Sequence, residues 1–378
     1  MNDLAQPASH LPLPVAAIPV DQRDYSLTGA DTHRALEIGL ASAEWYHSEV
    51  PRAVMKDLMK RSDGPALRDS LLWFALLAGS ATGGIAFWGT WACVPFFIVY
   101  GVLYGSCCDS RWHECGHGTA FKTPWLNDVI YHIASFMVIR NPVNWRWSHA
   151  RHHTDTYIVG RDPEISWMRP PALLRPVMAF FDVRGAFLSF RVLLRNAGGT
   201  LSPDEKDYIP ASEWPKAILA ARVHMAIYAA TAVTALATWS FLPLMLIGLP
   251  RIYGCWHMVL CGILQHAGLA DNVLDHRLNS RTVLMNPISR YLYWNMNYHI
   301  EHHMFPMVPY HALPRLHALI KDDLPPPNTS ILDAYREVIA SLRQQRINPE
   351  YAIRKMLPPT ARPYREVFHS LDFARIDA

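Results

Sequence analysis

Residues Ser70 to Cys108 read SLLWFALLAGSATGGIAFWGTWACVPFFIVYGVLYGSCC, 39 residues without one charged side chain. A helix needs about 20 apolar residues to cross a bilayer. The run therefore predicts two spans, 70–89 and 91–108, joined by a turn at Gly89-Thr90-Trp91. A second apolar region runs from Ala217 to about Leu264 and breaks near Trp239-Ser240-Phe241, just before Pro243. It predicts spans over 217–238 and 242–264. The alternative is a wholly buried soluble core, but such cores seldom hold charge-free runs of this length. The expected fold is all-α: an integral membrane domain of four helices in two hairpins.

The flanks of these runs set the orientation. Lys56, Lys60, Arg61 and Arg68 precede the first hairpin and Arg111 follows it. Lys206 and Lys216 precede the second, and Arg277 and Arg281 follow it. Both tips lack charge, so the positive-inside rule puts both termini in the cytosol. Arg251 falls inside the expected fourth span, and two readings are open. It faces a protein interior or wet cavity, or Pro250 breaks the helix there.

Around the spans, 1–30 reads as a disordered leader, because Pro12, Pro14 and Pro19 break its apolar stretch. Residues 31–69 read as cytosolic or interfacial helices. The membrane-bound domain covers 70–322 and includes a surface-lying amphipathic segment from Pro170 to Asn196. Residues 323–378 read as a linker and a cytosolic helical tail, with a helix over Ile331 to Arg346. A net charge of +3 and no basic tract interleaved with aromatics exclude nucleic acid as a partner. Six cysteines without a CxxC pair form no disulfide framework and fit a reducing compartment.

Histidine is the unusual count, at 19. Three clusters stand out: His113-Glu114-Cys115-Gly116-His117, His149-Ala150-Arg151-His152-His153 and His299-Ile300-Glu301-His302-His303. His266 sits alone in Gln265-His266-Ala267-Gly268. Residues i and i+4 share a helix face, so His113 and His117 can grip one metal from one helix. In each HxxHH cluster the adjacent pair diverges by about 100° around the helix, which lets it reach two metals. Nine imidazoles exceed what one ion takes and suit two ions of four or five ligands each. Imidazole serves iron, zinc, copper and nickel alike. All nine lie on the cytosolic side of the expected topology. His224 and His257, inside apolar runs, read as satisfied core residues. His10, His33, His47, His132, His276, His311, His317 and His369 have no ligand spacing.

The three boxes resemble those of the membrane-bound fatty acid desaturase and hydroxylase superfamily. His113 to His117 is similar to the first box of acyl-lipid desaturases. Asn297 to His303, followed by Phe305-Pro306, is similar to the third box of many bacterial members. The likeness covers about Leu71 to Leu319. It implies a four-span protein with a helical cytosolic cap that holds two iron ions. Carried over by motif, the ligands are His113, His117, His149, His152, His153, His266, His299, His302 and His303. In some members an asparagine contacts iron through water, and Asn295 and Asn297 are the candidates here. Trp145 to Thr156, Gly160-Arg161-Asp162-Pro163-Glu164 and the tail after Pro325 resemble a bacterial subgroup. That subgroup includes proteins similar to a rhizopine-catabolism oxygenase and a dihydrorhizobitoxine desaturase.

The resemblance implies an O2-dependent oxidoreductase of the bacterial inner membrane that desaturates an aliphatic substrate, foremost a lipid acyl chain. Alternatives are a di-iron hydroxylase or monooxygenase and a desaturase of a small polar or alkyl metabolite. Outside this class stand a membrane zinc hydrolase, which needs far fewer ligands, and a haem electron carrier. No GxGxxG after a strand and no Fe–S cysteine set is present. Electrons would then come from a ferredoxin or cytochrome b5-like donor with its reductase, docked by residues such as Arg151, Arg315 and Lys321. Glu114, Asp155, Asp162, Asp271 and Glu301 are candidates to orient the ligand imidazoles. Trp145 and Trp147 are candidates for the substrate path or for packing.

Overall fold

The computed structural model describes residues 23–41, 44–172 and 180–365. Among these residues the regular elements are helices; no strand forms, and only isolated bridges such as Thr282 to Tyr298 occur. Three helical stretches are long and apolar enough to cross a membrane: Arg52–Ala86, Trp91–Gly116 and Ala211–Ala237.

The first stretch contains α1, Arg52–Leu58, and α2, Asp63–Ala86. Gly89 then takes φ +87, a left-handed value that favours glycine, and turns the chain where the turn was expected. The return is α3, Val94–Gly105, continued by α4, Cys107–Gly116. A Cβ on Gly83 would lie 2.3 Å from the Phe96 ring, so the two helices close only because glycine stands there. α5 is Pro124–Met137 and α6 is Pro142–Thr154. α7, Val183–Ala197, exposes Val183, Phe187 and Leu194, as a helix lying on a membrane surface would. α8, Pro203–Tyr208, leads to the long α9, Trp214–Ala237. Trp91 and Trp239, 90% and 96% exposed at the two tips, suit the interfacial belt where indole rings collect.

The region expected to be a fourth span, 242–264, is not one helix. It divides into α10, Leu242–Leu246, α11, Pro250–Tyr253, and α12, Trp256–His266. Gly248 at φ +91 and Pro250 interrupt it. The break lets backbones touch: a Cβ on Gly254 would fall 1.8 Å from the Gly101 carbonyl oxygen. It also resolves Arg251. That side chain is buried, donates to the Val138 carbonyl at 3.3 Å and pairs with Asp182 at 2.5 Å.

The cap is built from α4, α6, the end of α12, α13 (His299–Met304) and α14 (Ile331–Ile347). α14 matches the expected tail helix and lies on α12, with Tyr335 donating to the Leu260 carbonyl at 2.8 Å. Of the expected leader, 1–22 lie outside the described residues. At its described end, Arg23 forms ion pairs with Asp271 and Glu350. Residues 173–179, within the expected surface segment, and 366–378 of the tail also lie outside the described residues.

Candidate metal centre

Each box enters the cap on a helix whose end is tied elsewhere. α6 starts at Asn141, whose side-chain oxygen accepts from the Val143 and Asn144 amides while its amide group donates to Ala217 at the root of α9. Glu114 is fully buried and accepts from the Thr119 hydroxyl at 2.7 Å and the Tyr310 amide at 3.0 Å. That clamps the first box to the loop after the third. Glu301 accepts from Thr282 at 2.6 Å and pairs with His317.

The nine histidines converge in two groups. His113, His117, His149, His153 and His302 place ring nitrogens within 4.8 Å of one another, and so do His152, His266 and His303. His299 joins the second group, with Nε2 3.0 Å from Nε2 of both His266 and His303. In the first group His153 Nε2 lies 3.1 Å from His149 Nε2 and 3.2 Å from His302 Nε2. The adjacent pairs divide as expected: His153 and His302 serve one group, His152 and His303 the other. His266, which no box announced, is a full member.

These spacings suit shared ions. Two nitrogens each about 2.1 Å from one ion, at an angle of roughly 90–100°, stand about 3.0–3.2 Å apart. The outer nitrogens fix the tautomers. His149 Nδ1 faces Glu164 at 3.1 Å, His152 Nδ1 faces Asp162 at 2.8 Å and His266 Nδ1 faces the Asn279 carbonyl at 2.7 Å. Carboxylates and carbonyls only accept, so Nδ1 holds the hydrogen and Nε2 turns a bare lone pair inward. Thr156 donates to the His152 carbonyl at 2.7 Å, which leaves its oxygen to accept from His303 Nδ1 at 3.2 Å. His117 Nε2 is buried without a hydrogen-bond partner, an orphan that a metal would satisfy.

Burial, reinforced by neighbouring imidazoles, holds His149, His153, His266, His299, His302 and His303 well below the usual imidazole range. Burial also pulls His117 down to about 4. Neutral rings are what a metal needs. His152 is the exception: burial pulls it down, but Asp162 and Glu164 outweigh that and raise it.

Of the five carboxylates singled out in the sequence, Asp162 alone touches a ring of the two groups. Asp155 pairs with Arg151 and Arg161, and Asp271 with Arg23 and Arg169. Glu164 escaped sequence reasoning. Its position two residues after Asp162, across Pro163, was the available signal. Asn295 is consumed by Arg290 and the Tyr310 carbonyl, whereas Asn297 Oδ1 is buried with no partner. Trp145 lines a cavity of ≈ 410 Å³ against His113, His149, His152, His266 and His299, while Trp147 faces away from it. Arg151 is engaged by Asp155 and Asp207 and Arg315 by Asp57; Lys321 is exposed.

A family model described as fatty acid desaturase matches residues 89–334. The chain is 22% identical over 269 residues to the chloroplastic sn-2 acyl-lipid omega-3 desaturase (ferredoxin) of Arabidopsis thaliana, across 65% of this chain and 58% of that protein. It is 32% identical over 107 residues to the sn-1 acyl-lipid omega-3 desaturase (ferredoxin) of Synechocystis, across 27% and 29%. It is 25% identical over 127 residues to the sn-1 oleoyl-lipid 12-desaturase of Anabaena variabilis, across 32% and 36%. The chain thus spans from under a third to just over half the length of these relatives.

Proposed function

Since this chain belongs to the fatty acid desaturase family, we propose that it is an O2-dependent, membrane-bound oxidoreductase that removes two hydrogens from neighbouring carbons of an aliphatic substrate. The observation that carries the reading is the convergence of nine histidine rings into groups of five and four beside one cavity. The names of the relatives support a lipid acyl chain as the substrate and a ferredoxin-type protein as the electron donor. A cytochrome b5-like donor is the alternative. The site and both termini face the cytosol, a reading supported by charge-free exposed tips and basic flanks.

The nine histidines are proposed to hold two irons. Bound there, iron would supply the O2 activation and hydrogen removal that protein side chains cannot perform. The chain's own residues prepare the place. Asp162, Glu164, Thr156 and the Asn279 carbonyl hold the Nδ1 hydrogens, so that the facing nitrogens are bare and the rings cannot turn. Apolar walls from Met258, Val259 and Ile263 hold the substrate against the first-box and third-box histidines and limit water. Placement of the carbon decides between an alkene and an alcohol.

The test expresses the wild type and His302→Ala in a bacterial host with a ferredoxin system. Mass spectrometry compares lipids and polar metabolites, and metal analysis counts iron. Products lighter by two hydrogens in the wild type alone, with two irons per chain, support the reading. An active protein that holds only zinc refutes it.

A further inference from the structure

The cavity beside the histidines is not the apolar slot that a plain hydrocarbon needs. Arg140 enters it from a tight turn: Ile139 takes φ +59, and the Arg140 amide closes on the Ser135 carbonyl at 2.9 Å. Its guanidinium lies over two indoles, 4.1 Å from the Trp145 ring centre and 4.6 Å from that of Trp112. Trp112 in turn packs edge-on against His149 at 5.5 Å, so Arg140 stands one ring away from the ligand set. One nitrogen, Nη1, pairs with Asp109 at 2.5 Å. A guanidinium has five donors, and Arg140 lines the cavity. Asp109 and Asp182 line the same space, and Asp182 is fastened by Arg251.

Charges of both signs therefore face whatever sits against the histidines. A bare alkyl chain would strip water from Arg140 and the two aspartates and return no hydrogen bond. A second cavity of ≈ 470 Å³ shares Trp145, Pro163 and Ile165 with the first, and exposed Asp204 lines it. Asn144, Ser148 and Glu205 line that neighbouring cavity as well, so its wall is polar.

We propose that Arg140, with Asp109 and Asp182, is the anchor for a zwitterionic group on the substrate, an anion received by Arg140 and a cation by the aspartates. The reacting aliphatic carbons lie beyond that group, on the side of the histidines. This rests on the desaturase reading and narrows it. The same chemistry is found in a free zwitterionic metabolite and in the head of a zwitterionic phospholipid.

Native mass spectrometry of the iron-loaded protein separates the sources, with 6-aminohexanoate, 1-oleoyl-lysophosphatidylethanolamine and oleate titrated in turn. Saturable binding of 6-aminohexanoate supports the anchor with a free metabolite, and binding of the lysolipid alone supports it with a lipid head. In either case Arg140→Met weakens binding at least tenfold, and Arg140→Lys, which keeps the charge and loses the planar fork, lies between. Gly262 faces open space on the cavity wall, so Gly262→Leu blocks the site without touching a charge. Oleate binding that Arg140→Met leaves unchanged overturns the anchor, as does failure of both zwitterions to bind. The iron count in the same spectra reports on the desaturase reading. Binding lost with two irons in place sinks the anchor alone; binding kept without iron sinks the desaturase reading alone.

Discussion

On the proposed two-iron reading, replacing Asp162 with asparagine should weaken one ion and spare the other. Asp162 is 3% exposed, and both of its carboxylate oxygens are engaged. Oδ2 accepts from His152 Nδ1 at 2.8 Å and from the Tyr157 amide at 2.8 Å, while Oδ1 accepts from the Glu164 amide at 2.7 Å. Asparagine is the same shape with one oxygen turned into an amino group. Whichever end that group takes, it meets an N–H that needs an acceptor. If it faces Oδ2's partners, His152 loses the contact that fixes its tautomer. If it faces Glu164, the amide there loses its acceptor and the turn that seats Asp162 under His152 loosens. Loss of such a partner lowers metal affinity by about 10–100-fold, roughly 1.4–2.8 kcal/mol. His152 belongs to the group with His266, His299 and His303, so the ion there should be released at about 10–100-fold lower chelator. Glu164→Gln should act on the other group, through His149. The assay is iron per chain after equilibrium dialysis against graded chelator. Asp128→Asn, in an exposed pair with Arg146, serves as the control. Joint release of both ions at the wild-type chelator level in Asp162→Asn, or loss of the same ion in both carboxylate variants, refutes the two-group assignment.

Gly254→Ala should lower the melting temperature of the detergent-solubilised protein markedly. Its Cβ would meet the Gly101 carbonyl at 1.8 Å, and overpacking of this kind costs about 1–3 kcal/mol; an unchanged melting curve would show that the two backbones are not in contact. Asn141→Ala removes the cap of α6 and its tie to Ala217, and should cost about 1–2 kcal/mol, read as a lower unfolding midpoint. Burial acts to raise the Glu337 carboxyl, but Arg281 and Lys355 outweigh it and hold it below its usual range. The clamp of α14 is then fully formed above about pH 4.5 and is lost as pH falls through the lowered value. Protection against hydrogen exchange in 331–347, corrected for the intrinsic pH dependence of exchange, should fall in acid, and Glu337→Gln should remove that dependence; a flat corrected profile in the wild type would contradict it.

Much of the site was legible because its signals are local. A helix period converts the spacing in His149, His152 and His153 directly into direction, so the division of adjacent histidines between two groups follows from three neighbouring residues. The turn at Gly89 was equally plain, since a charge-free run can exceed one bilayer only by folding back. Other features rest on contacts between residues far apart. Glu164 is an ordinary acidic residue until its loop reaches His149. Arg23 looks like part of a loose leader until Asp271, nearly 250 positions away, receives it.

Composition and spacing alone thus pointed to a helical membrane protein with two hairpin tips and eight histidines in three boxes, because hydropathy and helical phase are properties of neighbouring residues. Only the tertiary structure decided that the segment 242–266 breaks into three helices, that His266 completes the second group, and that Arg140 and two aspartates face the cavity. Those outcomes depend on which backbones can touch and which buried charges find partners, and these are settled only when distant parts of the chain pack together.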